Sequence, residues 1–574
     1  MVKRIRKKQS IWKARIMTPQ EKARDFINNE QQFHLGFLPT EQSHIDSRTL
    51  EDDFKHSSVA GVATLQKIDR NVLTMAQRLF ASDLYRTFAD TLFDTLKNGG
   101  RIVFSGCGAT GRLSILLESM WRTACRDHAL NGYANRVFSI MTGGDFALVK
   151  SVEFFEDYAC FGKRQVQERA MTKGDVLVAI TEGGETSSVL GTVEEAADRG
   201  AKVFLLFNNP ADLLAERLER SRRAIQDPRV TVLDLFCGPM ALAGSTRMQA
   251  TTSEQLIAGA ALESAFLRLK GKTALPDYAQ EFSDLLDILE SGSIRSSIAS
   301  YIDFEASVYE KHGKITYFTH DFLLDIFTDT TERSPTFMLP PFRGASDHLS
   351  PQSWAFVKDV FHNTEDAWKW AMVRPLRCLK WTMPDYIEMG VSDRIRSVPA
   401  ILEKDLLDFK IGAEDAPERR QQNDAAVIIA VGKEGKDTDF LRRCAEHCRD
   451  FETVRTIGIG SDEGDFSMSA LCAVRQDMPL RLMEHMAVKL VLNTISTGVM
   501  TKNGRVSGNW MSYVALSNKK LIDRGIRLLA ELGSLSYENA ALKIFEAMEE
   551  CTVQPGEERP SAVQYALKKL KGQI

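Results

Sequence analysis

Three turns in the first half of the chain carry residue types suited to holding an anion. The first is Gly106-Cys107-Gly108-Ala109-Thr110-Gly111-Arg112, which joins a short apolar run to a helical one. Glycines such as Gly106, Gly108 and Gly111 let backbone approach a ligand closely, and Thr110 offers a hydroxyl. No Lys-Ser/Thr follows the last glycine, so this is not a Walker loop, and the acidic ribose partner of a dinucleotide fingerprint is missing. The second turn is Thr181-Glu182-Gly183-Gly184-Glu185-Thr186. Its threonine hydroxyls and the N–H groups at the helix start form an anion cradle, provided that Glu182 and Glu185 point away from it. The third, Gly244-Ser245-Thr246-Arg247-Met248, puts two hydroxyls and an arginine before a long helix. Each turn alone is equally well explained by capping and tight-turn geometry. Three in one unit favour a ligand.

These turns need a frame, and the pattern around them supplies one. RIVFSG (101–106), RVFSIM (136–141), GDVLVAI (174–180), AKVFLLF (201–207) and RVTVLDL (229–235) are short apolar runs. Helical stretches such as LSILLESMWRTACR and SVLGTVEEAADRG lie between them, so a parallel sheet covered on both faces is expected. After a helical region at 252–310 the cycle returns with KITYFTH (314–320), AAVIIAV (425–431), TVRTIGIG (453–460) and the helix HMAVKLVLNTISTGVM (485–500). A repeat of about 210 residues follows, two copies of one α/β unit. Residues 1–60 read as polar and irregular, 60–97 as helices, and 535–574 as a small helical end-piece.

Composition narrows the class. A 574-residue chain exceeds one ordinary core, and a net charge of −4 argues against a nucleic-acid partner. No apolar run is long enough to span a membrane, and the basic N-terminus, MVKRIRKKQSIWKAR, lacks the apolar region of a secretory signal. Nine scattered cysteines, among them Cys237 and Cys472 in apolar runs, are expected to be reduced, buried thiols in a cytoplasmic protein. Cys444, His447 and Cys448 share a helical turn without further ligands nearby, so they are expected to pack rather than bind metal. No metal and no cofactor is expected.

Taken together, the three turns resemble the sugar isomerase (SIS) domain superfamily. Within it the chain is similar to the branch of N-acetylmuramic acid 6-phosphate etherase and the glucokinase regulatory protein. The family loop G-x-G-T-S-G-R stands here as GCGATGR, the S-x-S-G-E-T loop as TEGGET, and the GPE-x₂-GS-[ST]-R-[LM]-K signature as GPMALAGSTRMQ (238–249). LPTEQSH (38–44), TGGDFALVKSVEFFEDY (142–158) and the block at 489–529 resemble further family segments, so the likeness runs from about 38 to 545.

The resemblance implies two flavodoxin-like three-layer αβα SIS domains. An N-terminal extension would cover 1–60, the first domain with the sugar-phosphate site 61–290, the second 291–530, and a helical end-piece 531–574. It implies a small-molecule sugar phosphate as ligand and a sugar kinase as partner, with no nucleic acid and no membrane. Lys489 and Glu332 correspond to second-half residues that reach the sugar in the regulatory protein, and the second domain's own pocket is expected to be degenerate. The etherases use two glutamates. One matches Glu156, and the other falls on Met120. Glu118 is two helical steps of roughly 100° each from that position, on the wrong face. Losing one of two general catalysts removes about 10²–10⁴-fold of rate. Ala109, Gly183 and Gln249 also depart from the pattern. A regulatory sugar-phosphate binder is therefore expected, with an etherase-like carbon–oxygen lyase or a sugar-phosphate isomerase as the alternative. Glu156 or His485 would be the base of an isomerase, although His485 is expected at a helix surface.

Overall fold

The computed structural model describes residues 17–574 apart from 392–394, 396, 461–467, 471–477, 552–556 and 559. The basic run at the N-terminus and Cys472 thus lie outside the described residues.

Strands β1 (Ile102–Gly106), β2 (Val137–Met141), β3 (Val176–Ile180), β4 (Lys202–Phe207) and β5 (Val230–Asp234) form one parallel sheet, in the order β2-β1-β3-β4-β5. The second sheet holds β6 (Ile315–Thr319), β7 (Ala355–Asp359), β8 (Ala425–Val431), β9 (Thr453–Ile459) and β10 (Met468–Ala470). Its order, β7-β6-β8-β9-β10, repeats the first. Every residue of β1, β3, β6, β7 and β8 is buried. Helices on both faces explain why these strands read as unbroken apolar runs rather than alternating ones. The chain is α/β, with two parallel sheets of matching strand order.

Two strands escaped the sequence reading. In β7, AFVKD, Lys358 interrupts the apolar run. Its stem is buried, and its ammonium donates to the Lys410 carbonyl at 2.9 Å. Burial pulls that amine down to about 8. Strand β10 has only three residues.

The helices that matter for the site are α1 (Ala109–Asp127), α2 (Ser187–Asp198), α3 (Gln249–Leu269), α4 (Leu323–Phe337), α5 (Leu482–Lys502) and α6 (Lys519–Gly533). Helix α3 is buried on every side from Gln249 to Phe266, and α5 nearly so. A helix enclosed on every side lies inside a core, here with polar side chains such as Glu254 and Glu263 buried along it. The two helices pack together between the sheets, and one continuous core runs from Phe104 and Val178 to Tyr317 and Val427. Separate, smaller clusters fill the outer faces, around Val103 and Leu205 on the first sheet and Phe318 and Ala430 on the second.

Residues 17–60 are more ordered than their polarity suggests. Helices Pro19–Asn29 and Leu50–His56 form there, and Ser58–Phe80 follows. Short helices are marginal alone, so tertiary contacts hold them. Phe26 packs on Phe545, and the buried Glu41 carboxylate takes Arg524 and Arg527 from α6. The two ends of the chain are thereby joined. None of the eight cysteines among the described residues forms a disulfide. Cys444 and Cys448 are buried, and His447 stacks on Phe318, so that helical turn packs as expected.

Candidate functional site

The three turns open their helices around one cleft. A cavity of about 200 Å³ is bounded by Cys107, Gly108 and Ala109 of the first turn, Glu182 and Thr186 of the second, and Gly244 to Arg247 of the third. Ser151, Val152 and Glu156 close one side. Glu332 and Thr336 from α4, with Asn518, Lys520 and Arg524 around the start of α6, close the other. The convergence comes from topology. β1, β3 and the segment after β5 all end at the same rim of a parallel sheet, where helix N-termini collect.

In the first turn, Gly106 sits so close to the next helical turn that an added Cβ would lie 2.4 Å from the Thr110 carbonyl carbon. Gly108 takes φ 57°, which lets α1 begin at Ala109 against the cleft. Thr110 has a different job from the one its type suggested. Its hydroxyl accepts from Cys107 N at 3.0 Å and donates to Cys107 O at 2.9 Å, so it holds the turn instead of facing the cavity. Gly111 packs beneath, on Met141. In the second turn, Thr181 donates to the Thr186 hydroxyl at 3.1 Å, which leaves Thr186 at the wall. The Gly183 carbonyl is engaged by Asn209, away from the cavity.

The two loop glutamates separate. Glu185 leaves the cleft and pairs with Arg220 and Lys520, each at 2.7 Å. Burial pushes its carboxyl up, but those two cations more than offset it and hold it at about 2. Glu182 stays at the cavity wall, contrary to the expectation that both would turn away. Burial pushes it up to about 7, and the carboxylates of Glu332 and Glu185 add to the rise. It can therefore be neutral beside an anion.

The third turn supplies the most telling atom. Ser245 is 3% exposed, and its hydroxyl has no hydrogen-bond partner. The neighbouring Arg247 reaches across to α4 and α5, pairing with Asp329 at 3.0 Å and donating to Ser496 at 3.0 Å, while its Nε is left without a partner. Arg112 makes a second bridge between the halves, to Glu332. Glu332 thus lines the cleft as an ion-paired residue. Lys489 is placed elsewhere. Its ammonium donates to the Arg247 carbonyl at 2.7 Å and lines a neighbouring cavity of about 50 Å³ with Leu113, Leu116 and Gln255.

The lysine at the main cleft is Lys520, which the sequence reading passed over. The signal was present: Asn518, Lys520 and Arg524 lie in the family-like block at 489–529, and positions 520 and 524 share one helix face. Glu156 lines the cleft and accepts from Asn518 Nδ2 at 2.6 Å. Met120 is 3% exposed within the main core. Glu118 points away from the cleft and meets Ser139, Arg122, Arg374 and Arg377. Burial raises that carboxyl, and the arginines overcome this and hold it at about 2. Of the two positions at issue, 156 therefore lines the cleft with a carboxylate, whereas the position on α1 holds Met120 in the core.

At the corresponding rim of the second sheet, Glu434 accepts from the backbone N–H groups of Asp321 at 2.7 Å and Val431 at 3.0 Å. A side chain of the protein itself uses donors that an anion would need. His485, expected at a surface, is instead largely enclosed, 2.8 Å from Asp325.

The profile described as glucokinase regulatory protein N-terminal SIS domain matches residues 85–197. The chain is 31% identical over 236 residues to N-acetylmuramic acid 6-phosphate etherase of Yersinia pestis (strain Pestoides F), covering 41% of this chain and 72% of that protein. It is 27% identical over 236 residues to N-acetylmuramic acid 6-phosphate etherase 1 of Bacillus licheniformis, covering 41% and 71%. Among solved structures, tagatose-6-phosphate ketose/aldose isomerase from Escherichia coli is similar at a TM-score of 0.39 and 12% identity, over 78% of this chain and 95% of that one.

Proposed function

This chain belongs to the sugar isomerase (SIS) domain family, in the branch of the N-acetylmuramic acid 6-phosphate etherases and the glucokinase regulatory protein, and from that premise we propose that it binds a phosphorylated hexose or amino sugar as a regulatory sensor. The observation that carries this reading is Ser245. A buried hydroxyl without a partner costs free energy unless something bonds it. It stands beside the helix-opening turns where phosphate is well accommodated. Thr186, Thr246 and the first N–H groups of α1 complete the anion side, with Lys520 supplying charge. Glu156, Glu182 and Glu332 face the sugar hydroxyls. A sugar kinase as partner, a cytoplasmic setting, and division into units at 61–290 and 291–530 belong to the same proposal.

The second reading, an etherase-like lyase, is favoured by Glu156 at the cleft wall. Elimination needs a base for the proton α to a carbonyl and an acid for the leaving oxygen, and only one of that pair is in place. The two readings part on one experiment. Fructose, glucose and N-acetylmuramic acid phosphates are added in turn, with melting temperature and lactate release followed together. Stabilisation of about 2.7 kcal/mol is expected at 100 times the dissociation constant, without lactate. Lactate release abolished by Glu156→Gln would establish the lyase. No thermal response to any phosphosugar would end both readings.

Binding should also depend on pH. Glu182 is protonated below about 7 and ionised above it, where it repels phosphate. A sugar phosphate is already mostly dianionic there, its second pKa being about 6. Affinity is therefore expected to fall between pH 7 and 8.5, by at most about tenfold per unit. Calorimetric titration checks this, and Glu182→Gln should flatten the profile. A flat profile in the unaltered protein would place the phosphate away from Glu182.

A further inference from the structure

Outside the cleft, three side chains meet at the carboxyl ends of β6 and β7. His320 follows β6, Asp359 ends β7, and His362 lies three residues further on. The Asp359 side chain is fully buried. One of its oxygens lies 2.7 Å from His320 Nδ1 and the other 2.7 Å from His362 Nδ1. One ligand atom from each of the three falls within 4.8 Å of the others. Aromatic neighbours fix both rings. His320 stacks on Trp370 at 4.5 Å and packs on Phe361 at 4.5 Å, and His362 stacks on Trp370 at 5.4 Å. The imidazoles keep 15% and 32% exposure, so solvent reaches the cluster from their side.

A buried carboxylate is costly without positive charge beside it. Among the described residues, the ion-pair partners of Asp359 are these two imidazoles. The adjoining Lys358 sends its ammonium to Lys410 instead. Arg126 and Arg443 each lie 4.9 Å from a ring centre, over Trp370 and Phe361, so they stack on the aromatic shell. The backbone N–H groups of His362 and Phe361 give Asp359 partial compensation, at 3.0 and 3.4 Å.

From this geometry we infer that His320, Asp359 and His362 bind a divalent first-row transition-metal ion, with Zn²⁺ matching the donor set. Each ring coordinates through Nδ1 and carries its proton on Nε2, so a neutral imidazole gives up no proton and an imidazolium releases one. Tetrahedral bonds of about 2.0–2.2 Å separate donors by about 3.4 Å, so the ring that meets the coordinating Asp359 oxygen withdraws from it by about 0.7 Å. Water takes the fourth position on the exposed side. The ion neutralises Asp359 and ties the β6 and β7 turns together.

The full chain, stripped with a chelator and dialysed, is titrated with Co²⁺ and followed in the visible region. One equivalent giving the d–d bands of a four-coordinate nitrogen–oxygen site, displaced by Zn²⁺, is expected. His362→Ala should weaken Co²⁺ binding by more than about 100-fold and leave sugar-phosphate binding unchanged. If the alanine variant does not melt cooperatively, His362→Gln replaces it, because glutamine can still donate to Asp359 but lacks the ring nitrogen. Absence of the bands in the unaltered protein would overturn the inference. So would identical bands and stoichiometry in the His362 variant, or a thiolate charge-transfer band assigning the ion to cysteine.

Discussion

Ser245→Ala is expected to weaken sugar-phosphate binding by about 10- to 150-fold, the loss of one hydrogen bond of about 1.5–3 kcal/mol to a charged group. The ligand-free protein should melt no lower than before. The hydroxyl has no partner in the structure, so alanine removes a buried polar atom and breaks nothing. That asymmetry makes the test informative. Most substitutions at the cleft disturb ion pairs that also hold the fold, as Lys520 does with Glu185 or Arg112 with Glu332. Affinity is read by calorimetry and stability by thermal melting on the same sample. Unchanged affinity would mean that the phosphate is held elsewhere, and a large drop in ligand-free stability would mean that Ser245 has a partner in solution.

Met120→Glu restores the etherase residue in letter and is expected to fail in substance. Met120 is 3% exposed within the main core, so an ionised carboxylate there is cut off from water. A destabilisation of at least about 4 kcal/mol is expected. The cost should grow with pH. Burial raises the folded-state pKa of the new carboxyl above its unfolded value of about 4.3, so stability falls as pH rises from the unfolded towards the folded value. Melting of this variant at pH 5 and pH 8 checks the sign. No lactate should be released from N-acetylmuramic acid 6-phosphate. A variant that melts normally and turns that substrate over would show that α1 can rotate Met120 into the cleft.

The difference between Glu118 and Glu156 explains how far residue type can lead. Both are glutamates in the first half of the chain. Glu118 is bound by three arginines and Ser139 on the far side of α1, whereas Glu156 lines the cleft. Helical periodicity alone separates Glu118 from the Met120 direction, and that much is readable without coordinates. The arginines that neutralise it arrive from residues 374 and 377, about 250 positions away. No local pattern announces them.

Thr110 and Lys489 mark the same boundary from the other side. Each has a suitable donor at a suitable motif position. Thr110 is taken up by its own turn, and Lys489 by a carbonyl over a neighbouring cavity. Lys520 lines the cleft, where Lys489 was expected, because α6 enters from the distant end of the chain.

Runs of β-branched and aromatic residues, spaced by helix-period segments, dictate two parallel sheets, because strand and helix periodicities are properties of the chain itself. The glycine and hydroxyl turns follow from the same logic, since backbone that must pass close to a helix start admits little else. Which of the charged groups face one another is another matter. Pairs such as Arg247 with Asp329, His320 with Asp359, or Lys520 with Glu185 join positions far apart in the chain. Their partnership is set by how the helices pack and by which carboxylates burial forces to find a cation, and only the folded arrangement determines that.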